Sequence, residues 1–499
     1  DRWWLAIIPA AVTLVVTLYQ IGRPTLWQDE ISTLSDVNRR LPDMFRLLGN
    51  IDAVHGTYYL IMWAVVRLGG TSAVALRVPS AVAMAVTAGG VALLGRRLVS
   101  TRAGLAAGLV FAALPQVSWY GQDAREIGMV AAVATVSSYL FVRVLDAAPG
   151  QRRRWLIGYG AALSLLGLLN LCALLLIPAH GLTLAVLHVR ERRARSPRDL
   201  PLDEATSAGA AANSARPPTW GWLFAAVTAV ATASPVIALG WQQRSQIAWL
   251  ARPDMRSLAK IEKVIGPPWL CAAVLGIIAI AVLAGAIHGS SRLRADWPWR
   301  LTALCVPWLL LPLVLLLAAS KVHPVFAPRY IVFCLPAAAL LLGAGLAALG
   351  RVAAALAFAL LVALALPAQA QARAPNGHGE NLGRVSRILA AHAHSGDAVL
   401  FGNSYVRKIE IAYPAGFRSL RDISLGETAL RLAEPSGSNV SAAVISQRLH
   451  TVTRLWAITI ANHRSALPPV RRQGFSLVRH WTVTGYEINF YVRHTAAGP

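Results

Sequence analysis

Uninterrupted apolar stretches of about 20 residues recur through the first 370 positions of the chain, and no other feature restricts its fold as strongly. A helix of about 20 residues crosses the ~30 Å hydrocarbon core of a bilayer. Backbone exposed to lipid has no water to bond, so each stretch must close its hydrogen bonds within a helix. With 56% of residues hydrophobic and 14% charged, the chain is expected to be a mainly α, polytopic membrane protein. Its formal charge of +24, from 47 basic and 23 acidic residues, would suggest a nucleic-acid partner in a soluble protein. Here the arginines lie mainly in short loops beside apolar segments. Membrane topology accounts for them, and no nucleic acid is expected.

Under the positive-inside rule, the clusters at Arg96, Arg97 and Arg102, at Arg152 to Arg154, along Arg190 to Arg198, at Arg292, Arg294 and Arg300, and at Arg351 mark cytoplasmic loops. Between them about eleven spans are expected, at 4–22, 78–95, 104–119, 127–145, 155–170, 171–189, 220–240, 266–288, 299–319, 329–349 and 351–369. This places the N-terminus inside and the C-terminus outside. The first span lacks a small-residue cleavage site and is expected to be retained as a helix. Thr57 to Leu68, at about 12 residues, is too short to cross and is expected to lie in the outer leaflet. Residues 23–76 then form one large outward loop, and residues 191–219, rich in Arg, Ser, Ala and Pro, a cytoplasmic linker. Cys172, Cys271, Cys305 and Cys334 all fall inside apolar segments without CxxC spacing, which predicts small core residues rather than a disulfide framework.

The transmembrane domain is expected over residues 1–370. Beyond it, residues 371–499 read as an extracytoplasmic α/β domain. Helices are expected at Asn381 to His394 and Ser441 to Leu449, strands at Asp397 to Phe401 and Arg454 to Ile460, and a hairpin from Phe475 to Val492 turning at Thr484-Gly485.

Two adjacent carboxylates, Asp29 and Glu30, stand where the chain leaves the first span. One of them, in a partly apolar setting, has the chemistry of a general base, with the other held by hydrogen bonds or a cation. The competing reading is a helix N-cap pair bonding free amides. The outward loops also hold Trp119 to Arg125, then Gln242, Gln243, Arg244, Arg252 and Asp254, then Lys321, His323, Arg329 and Tyr330. Arginines outside run against the topology rule. A phosphate suits them because a guanidinium gives two parallel charged hydrogen bonds, while headgroup anchoring or an ion pair with Asp123 or Asp254 is the plainer alternative. His392 and His394, spaced i, i+2, do not share a helix face.

Five segments in order, Trp27-Gln-Asp-Glu30, His55-Gly-Thr-Tyr-Tyr59, Leu76-Arg-Val-Pro-Ser80, Tyr120-Gly-Gln-Asp-Ala-Arg125 and Phe326-Ala-Pro-Arg-Tyr330, resemble the GT-C glycosyltransferases. The nearer likeness is to the bacterial protein O-mannosyltransferases and the lipid A aminoarabinose transferases. Gly56-Thr57 stands where relatives often have two prolines, and Glu126-Ile127 where many have a residue followed by tyrosine. The resemblance implies a plasma-membrane enzyme that takes a sugar from a polyprenyl-phosphate donor and passes it, with inversion, to a glycan, lipid or protein acceptor on the outer face. Asp29 would be the base and Glu30 would orient it or bind an acceptor or metal. His55, Arg125 and Arg329 would meet the leaving phosphate with Lys321 and His323 in reserve, and Gln122 and Tyr330 would bind substrate. A divalent metal ion is possible in such a site. Mannose is the sugar the resemblance points to, the alternative being an arabinofuranosyl or other pentosyl transfer to the cell wall. A lipid-linked-sugar flippase would be expected to show repeated halves and ionisable groups near mid-bilayer, which this sequence lacks.

Overall fold

The computed structural model of the chain describes residues 4–194, 218–248, 299–461 and 470–494, with the isolated positions 250, 252–253 and 268–269. The chain divides into two compact units, one of Asp1–Tyr19, Val78–Gln122 and Glu126–Gln369, the other of Gln20–Arg77, Asp123–Arg125 and Ala370–Pro499.

The first unit is helical. Its elements are α1 (Trp4–Leu18), with α2 to α4 belonging to the second unit and given below, then α5 (Ala73–Leu98), α6 (Thr101–Ala113), α7 (Pro115–Gly121), α8 (Ile127–Asp146), α9 (Pro149–Leu169), α10 (Leu176–Ala194), α11 (Thr219–Gln242), α12 (Trp299–Val322), α13 (Leu335–Ala348) and α14 (Arg351–Ala372). Seven stretches among the described residues are long and apolar enough to cross a bilayer, and α6 with α7, bent by 63° at the break, makes up to eight. Pro115 explains the bend, because a proline has no N–H for the preceding turn and pushes Leu114 into extended backbone. The expected first span is a 15-residue helix, shorter than a crossing length. The expected span at 155–170 is the apolar part of α9, whose first turns carry Arg152 to Arg154. The expected span at 266–288 and most of the linker at 191–219 lie outside the described residues.

Small residues set the helix spacing in this unit. A Cβ on Gly343 of α13 would stand 2.4 Å from the Ala107 backbone of α6, and one on Gly108 would stand 2.6 Å from Pro9 of α1. With no hydrophobic drive between helices in lipid, such close backbone approach gives the packing contacts that hold them together. Asn170 ends α9 and its side chain accepts from the Cys172 N–H at 3.0 Å, forming a tight turn.

The second unit contains α2 (Gln28–Val37), α3 (Leu41–Asn50), α4 (Gly56–Gly69) and the C-terminal segment with α15 (Leu382–His392), α16 (Ala442–Leu449) and a five-stranded sheet. The strands are β1 (Ala398–Phe401), β2 (Arg421–Asp422), β3 (Arg454–Ile460), β4 (Phe475–Val483) and β5 (Tyr486–Arg493), in the order β2-β1-β3-β5-β4. β1 runs parallel to β2 and β3, while β5 pairs antiparallel with both β3 and β4. Alternation puts Ala398 and Leu400 on the face that packs with Leu455, Ile445, Leu449 and Phe475 into one core. Gly485 turns the β4–β5 hairpin at φ +86°, a conformation open to glycine at little cost. Residues 23–76, read from sequence as an outward loop, fall within the stretch Gln20–Arg77 that is compact with this C-terminal segment.

Candidate active site

The site is built on the first turn of α2. Trp27 is extended (φ −97°, ψ 172°) and its N–H is accepted by Glu30, three residues on, at 3.3 Å. Two acids at a helix N-terminus are favoured by the macrodipole, and Glu30 closes the turn as the reaching half of a capping box. Three more donors reach the same carboxylate. Arg77 gives Nε to Oε1 at 2.7 Å and Nη2 to Oε2 at 2.6 Å, and the Ala124 N–H reaches Oε1 at 2.8 Å. Both side chains of this ion pair are wholly buried. Burial alone would raise the Glu30 pKa, but the Arg77 charge and hydrogen bonds outweigh it and hold the group below the usual carboxylate value. Arg77 also donates to the Ile21, Pro24 and Thr25 carbonyls, which fixes the chain leading into the helix.

Asp29 differs from its neighbour in burial. Adjacent helix positions point roughly 100° apart, so Asp29 leaves the buried face and is only half-buried. The Tyr405 hydroxyl donates to its Oδ1 at 3.3 Å.

Residues Asp123 to Arg125 are fastened to α2 by three hydrogen bonds: Trp27 Nε1 to Asp123 Oδ1 (3.0 Å), the Ala124 N–H to Glu30, and the Thr33 hydroxyl to the Ala124 carbonyl (3.1 Å). This anchoring places Arg125, whose Nη2 donates to His55 Nε2 at 3.0 Å. A guanidinium can only donate, so Nε2 is the acceptor and the His55 ring is neutral, with its proton on Nδ1. His55 ends a 3-10 turn that starts from Asp52 in the left-handed region (φ 60°), a conformation aspartate tolerates better than most residues. The Tyr59 hydroxyl donates to the Asp52 carboxylate at 3.2 Å. Asp123 is fully buried, and burial followed by the charge of Glu30 pushes its pKa well above the usual value.

On another side of α2 lies Lys408, the last residue of the 3-10 turn Ser404–Lys408. Its Nζ donates to the Gln28 carbonyl at 3.4 Å and to the Ser32 hydroxyl, and stands 3.5 Å from the Tyr405 ring centroid. Burial lowers its pKa to about 8 against the opposing pull of Asp29, Asp36 and Asp52. Asp36 is buried with neither carboxyl oxygen hydrogen-bonded among the described residues, and Arg39 is 3.9 Å away. Burial, aided by Asp52, pushes Asp36 up to about 8.

Residues 57–199 match the family described as dolichyl-phosphate-mannose-protein mannosyltransferase. The fold is similar to the crystal structure of ArnT from Cupriavidus metallidurans in the apo state, with a TM-score of 0.59 and 14% identity over 97% of each chain. The same protein bound to undecaprenyl phosphate gives a TM-score of 0.57 and 14% identity over 100% of each chain. The fold is ArnT-like over nearly the whole chain. A third similarity is to the archaeal oligosaccharyltransferase AglB from Archaeoglobus fulgidus in complex with an inhibitory peptide and a dolichol-phosphate, with a TM-score of 0.50 and 13% identity over 99% of this chain and 74% of that chain. No curated protein matches the sequence significantly. The family match covers residues 57–199, and the structural similarity extends over nearly the whole chain.

Of the residues expected to form the site, Asp29, Glu30, His55 and Arg125 fall in one unit. Gln122, Lys321, His323, Arg329 and Tyr330 belong to the helical unit. There Gln122 donates its amide to the Thr17 and Tyr19 carbonyls, both at 2.8 Å, Lys321 donates to the Pro253 carbonyl at 3.4 Å, and the Arg329 guanidinium lies 5.6 Å from the Tyr330 ring centroid. Among the described residues no group of three or more His, Cys, Asp or Glu side chains is arranged to hold a metal ion, so the residues present give no step through a metal.

Four contributors to this candidate site were not singled out from sequence. Arg77 lies within a quoted motif, and an arginine inside a helix otherwise apolar is itself a signal of a buried partner. Asp123 stood in the motif with Arg125 and was read only as a possible ion-pair partner. Tyr405 and Lys408 follow α2 by more than 370 positions, and no local pattern links them to it; the one hint is that Lys408 is among four lysines in a chain whose other cations are arginines.

Proposed function

We propose that this chain transfers a sugar from a polyprenyl-phosphate-linked donor to an acceptor hydroxyl on the outer face of the plasma membrane, with Asp29 as general base. The observation that carries the reading is the division of labour between adjacent acids. Glu30 is ionised, buried and fully engaged by Arg77, Trp27 and Ala124, whereas Asp29 is only half-buried. Arg125 and Asp29 also share Tyr405 and Lys408 as electrostatic neighbours.

In the proposed step the acceptor oxygen attacks the anomeric carbon while Asp29 takes the hydroxyl proton. The bond from the anomeric carbon to the phosphate oxygen breaks, and polyprenyl phosphate leaves with the electron pair. A single displacement inverts the anomeric centre. Arg125, oriented by neutral His55, meets the charge on the leaving phosphate, and Arg329 is assigned the same task from its sequence context. Glu30 and Arg77 position the helix turn without touching substrate. Activated sugars outside the cell must arrive on a lipid, since nucleotide sugars stay inside, and a membrane-embedded unit suits the tail. Capture of undecaprenyl phosphate by a protein of the same fold supports this donor class. The match of residues 57–199 to a mannosyltransferase family supports mannose.

The test is transfer by the purified protein in liposomes, given a panel of polyprenyl-phosphate sugars and membrane extract as acceptor. Mannose is expected to move from polyprenyl-phosphate mannose to an extract component, with inversion. Movement of the intact lipid-linked sugar between leaflets without release of polyprenyl phosphate would replace this reading with transport.

A further inference from the structure

The C-terminal segment makes five polar contacts with the turn that bears Asp29, and all fall within one compact unit. Glu380 accepts from the Gln28 N–H at 2.9 Å, and the Tyr486 hydroxyl accepts from the Gln28 side-chain amide at 2.9 Å. Lys408 donates to the Gln28 carbonyl and the Ser32 hydroxyl, the two residues that bracket Asp29 at helical spacing. Tyr405 donates to Asp29 itself. A domain needed only for binding elsewhere would have no reason to bury a lysine against this turn, because taking an ammonium out of water is costly unless it is paired. Lys408 is 1% exposed, yet its neighbours supply only neutral acceptors and an aromatic face at hydrogen-bonding range. The charge compensation comes from the carboxylates around it, Asp29 foremost.

We infer that the turn Ser404–Lys408 of the C-terminal segment is a positioning device for Asp29, in which Lys408 clamps the helix turn and the Tyr405 ring while the Tyr405 hydroxyl fixes Oδ1 of the carboxylate. The pair also sets the proton affinity of Asp29. A hydroxyl donated to a carboxylate and a nearby ammonium both favour its ionised form. The other groups facing Asp29 pull in both directions: Asp123, from the segment fastened to α2, and Glu380, ahead of α15, are acids that interact with it, while Arg125 acts on the same Tyr405 and Lys408 neighbours. Removing Tyr405 or Lys408 leaves the acids in place and takes away part of the cationic and hydrogen-bonding support, so Asp29 should hold its proton to higher pH. At 36% exposed, Tyr405 is also reachable from solvent, so the contact lies at the open side of the site.

This inference rests on Asp29 being the base only for its consequence in turnover; the positioning contact is measurable without any substrate. Dicyclohexylcarbodiimide modifies protonated carboxyls, and peptide mass spectrometry of the full chain in detergent gives the extent of Asp29 modification against pH. The midpoint is expected to rise by about half a pH unit or more in both Tyr405→Phe and Lys408→Met. In transfer assays with the polyprenyl-phosphate sugar that the wild type uses, kcat is expected to fall about threefold to tenfold with donor KM within about twofold, the pattern of a misplaced base rather than a lost binding contact. Tyr405→Phe removes a single hydroxyl and keeps the ring, so it decides the matter where Lys408→Met melts too low to assay. A labelling midpoint unchanged from wild type in Tyr405→Phe would overturn the inference. Normal turnover by Asp29→Asn would instead end the general-base reading while leaving the labelling result standing.

Discussion

Glu30 and Arg77 form a two-pronged ion pair, 2.7 and 2.6 Å long, with both side chains wholly buried. Removing one partner leaves the other charge buried without compensation, at a cost of about 3–5 kcal/mol. Arg77→Met is therefore expected to lower the melting temperature sharply in detergent. Arg77→Lys should recover only part of the loss, since an ammonium cannot give two parallel bonds or reach the carbonyls of Ile21, Pro24 and Thr25 as well. A wild-type melting curve for Arg77→Met would show that the pair does not hold the turn.

Arg125 is presented by a strap bonded to α2 and by the acceptor nitrogen of His55. If it meets the leaving phosphate, Arg125→Ala should reduce kcat/KM for the lipid-linked donor by about 2–3 kcal/mol, or roughly 30- to 150-fold. His55→Ala should cost less, because it removes the orientation and not the charge. Equal kcat/KM in Arg125→Ala and wild type would return this arginine to a structural role.

Asp36 gives a pH signature to the fold. Its pKa is pushed up to about 8 in the folded chain against about 3.9 unfolded, so between those values the folded state holds a proton that the unfolded state has lost. Stability from this group is complete below the unfolded value and falls as pH rises toward 8. Lys408, lowered to about 8, stays protonated in both states below that pH and adds no slope there. The wild type is expected to melt lower at pH 7.5 than at pH 5, and Asp36→Asn, neutral throughout, should narrow the gap. An equal gap in the variant would contradict the burial of a neutral Asp36.

Topology is open to direct labelling. A cysteine at Leu200, within the expected cytoplasmic linker, should react only with reagents that cross the membrane, whereas one at the exposed Glu427 should be labelled in intact spheroplasts. The reverse pattern at both positions would overturn the inside-to-outside assignment.

The spans were legible because a bilayer imposes length and hydropathy directly on sequence, and the C-terminal sheet because β1, β3 and the hairpin at Gly485 obey local rules of strand and turn. Of the candidate site, Asp29 and Glu30 could be picked out as adjacent acids where the chain leaves the first expected span and Arg125 as an arginine in an outward loop, while His55 came from the family resemblance. What sequence did not separate was the two acids. Glu30 became the buried partner of Arg77 because the helix turns it inward, and that choice depends on where α5 delivers a guanidinium 47 positions later. Tyr405 and Lys408 were hidden for the same reason: the contacts of Tyr405 with Asp29 and of Lys408 with Gln28 are a property of tertiary packing across 376 and 380 positions, which no spacing rule encodes. The bend at Pro115 was missed because the hydropathy of α6 and α7 together reads as one straight span.

The central claim is that Asp29 removes the acceptor proton, and single-turnover transfer by Asp29→Asn with saturating donor tests it most directly. Asparagine caps helices about as well as aspartate and keeps an oxygen for the Tyr405 hydroxyl, but it lacks the basic site. Transfer is expected to fall about a hundredfold or more, with donor binding and melting temperature near those of wild type. Near-normal transfer by the folded variant would contradict the account, and a greater loss in a folded Glu30→Gln than in Asp29→Asn would move the base to the other carboxylate.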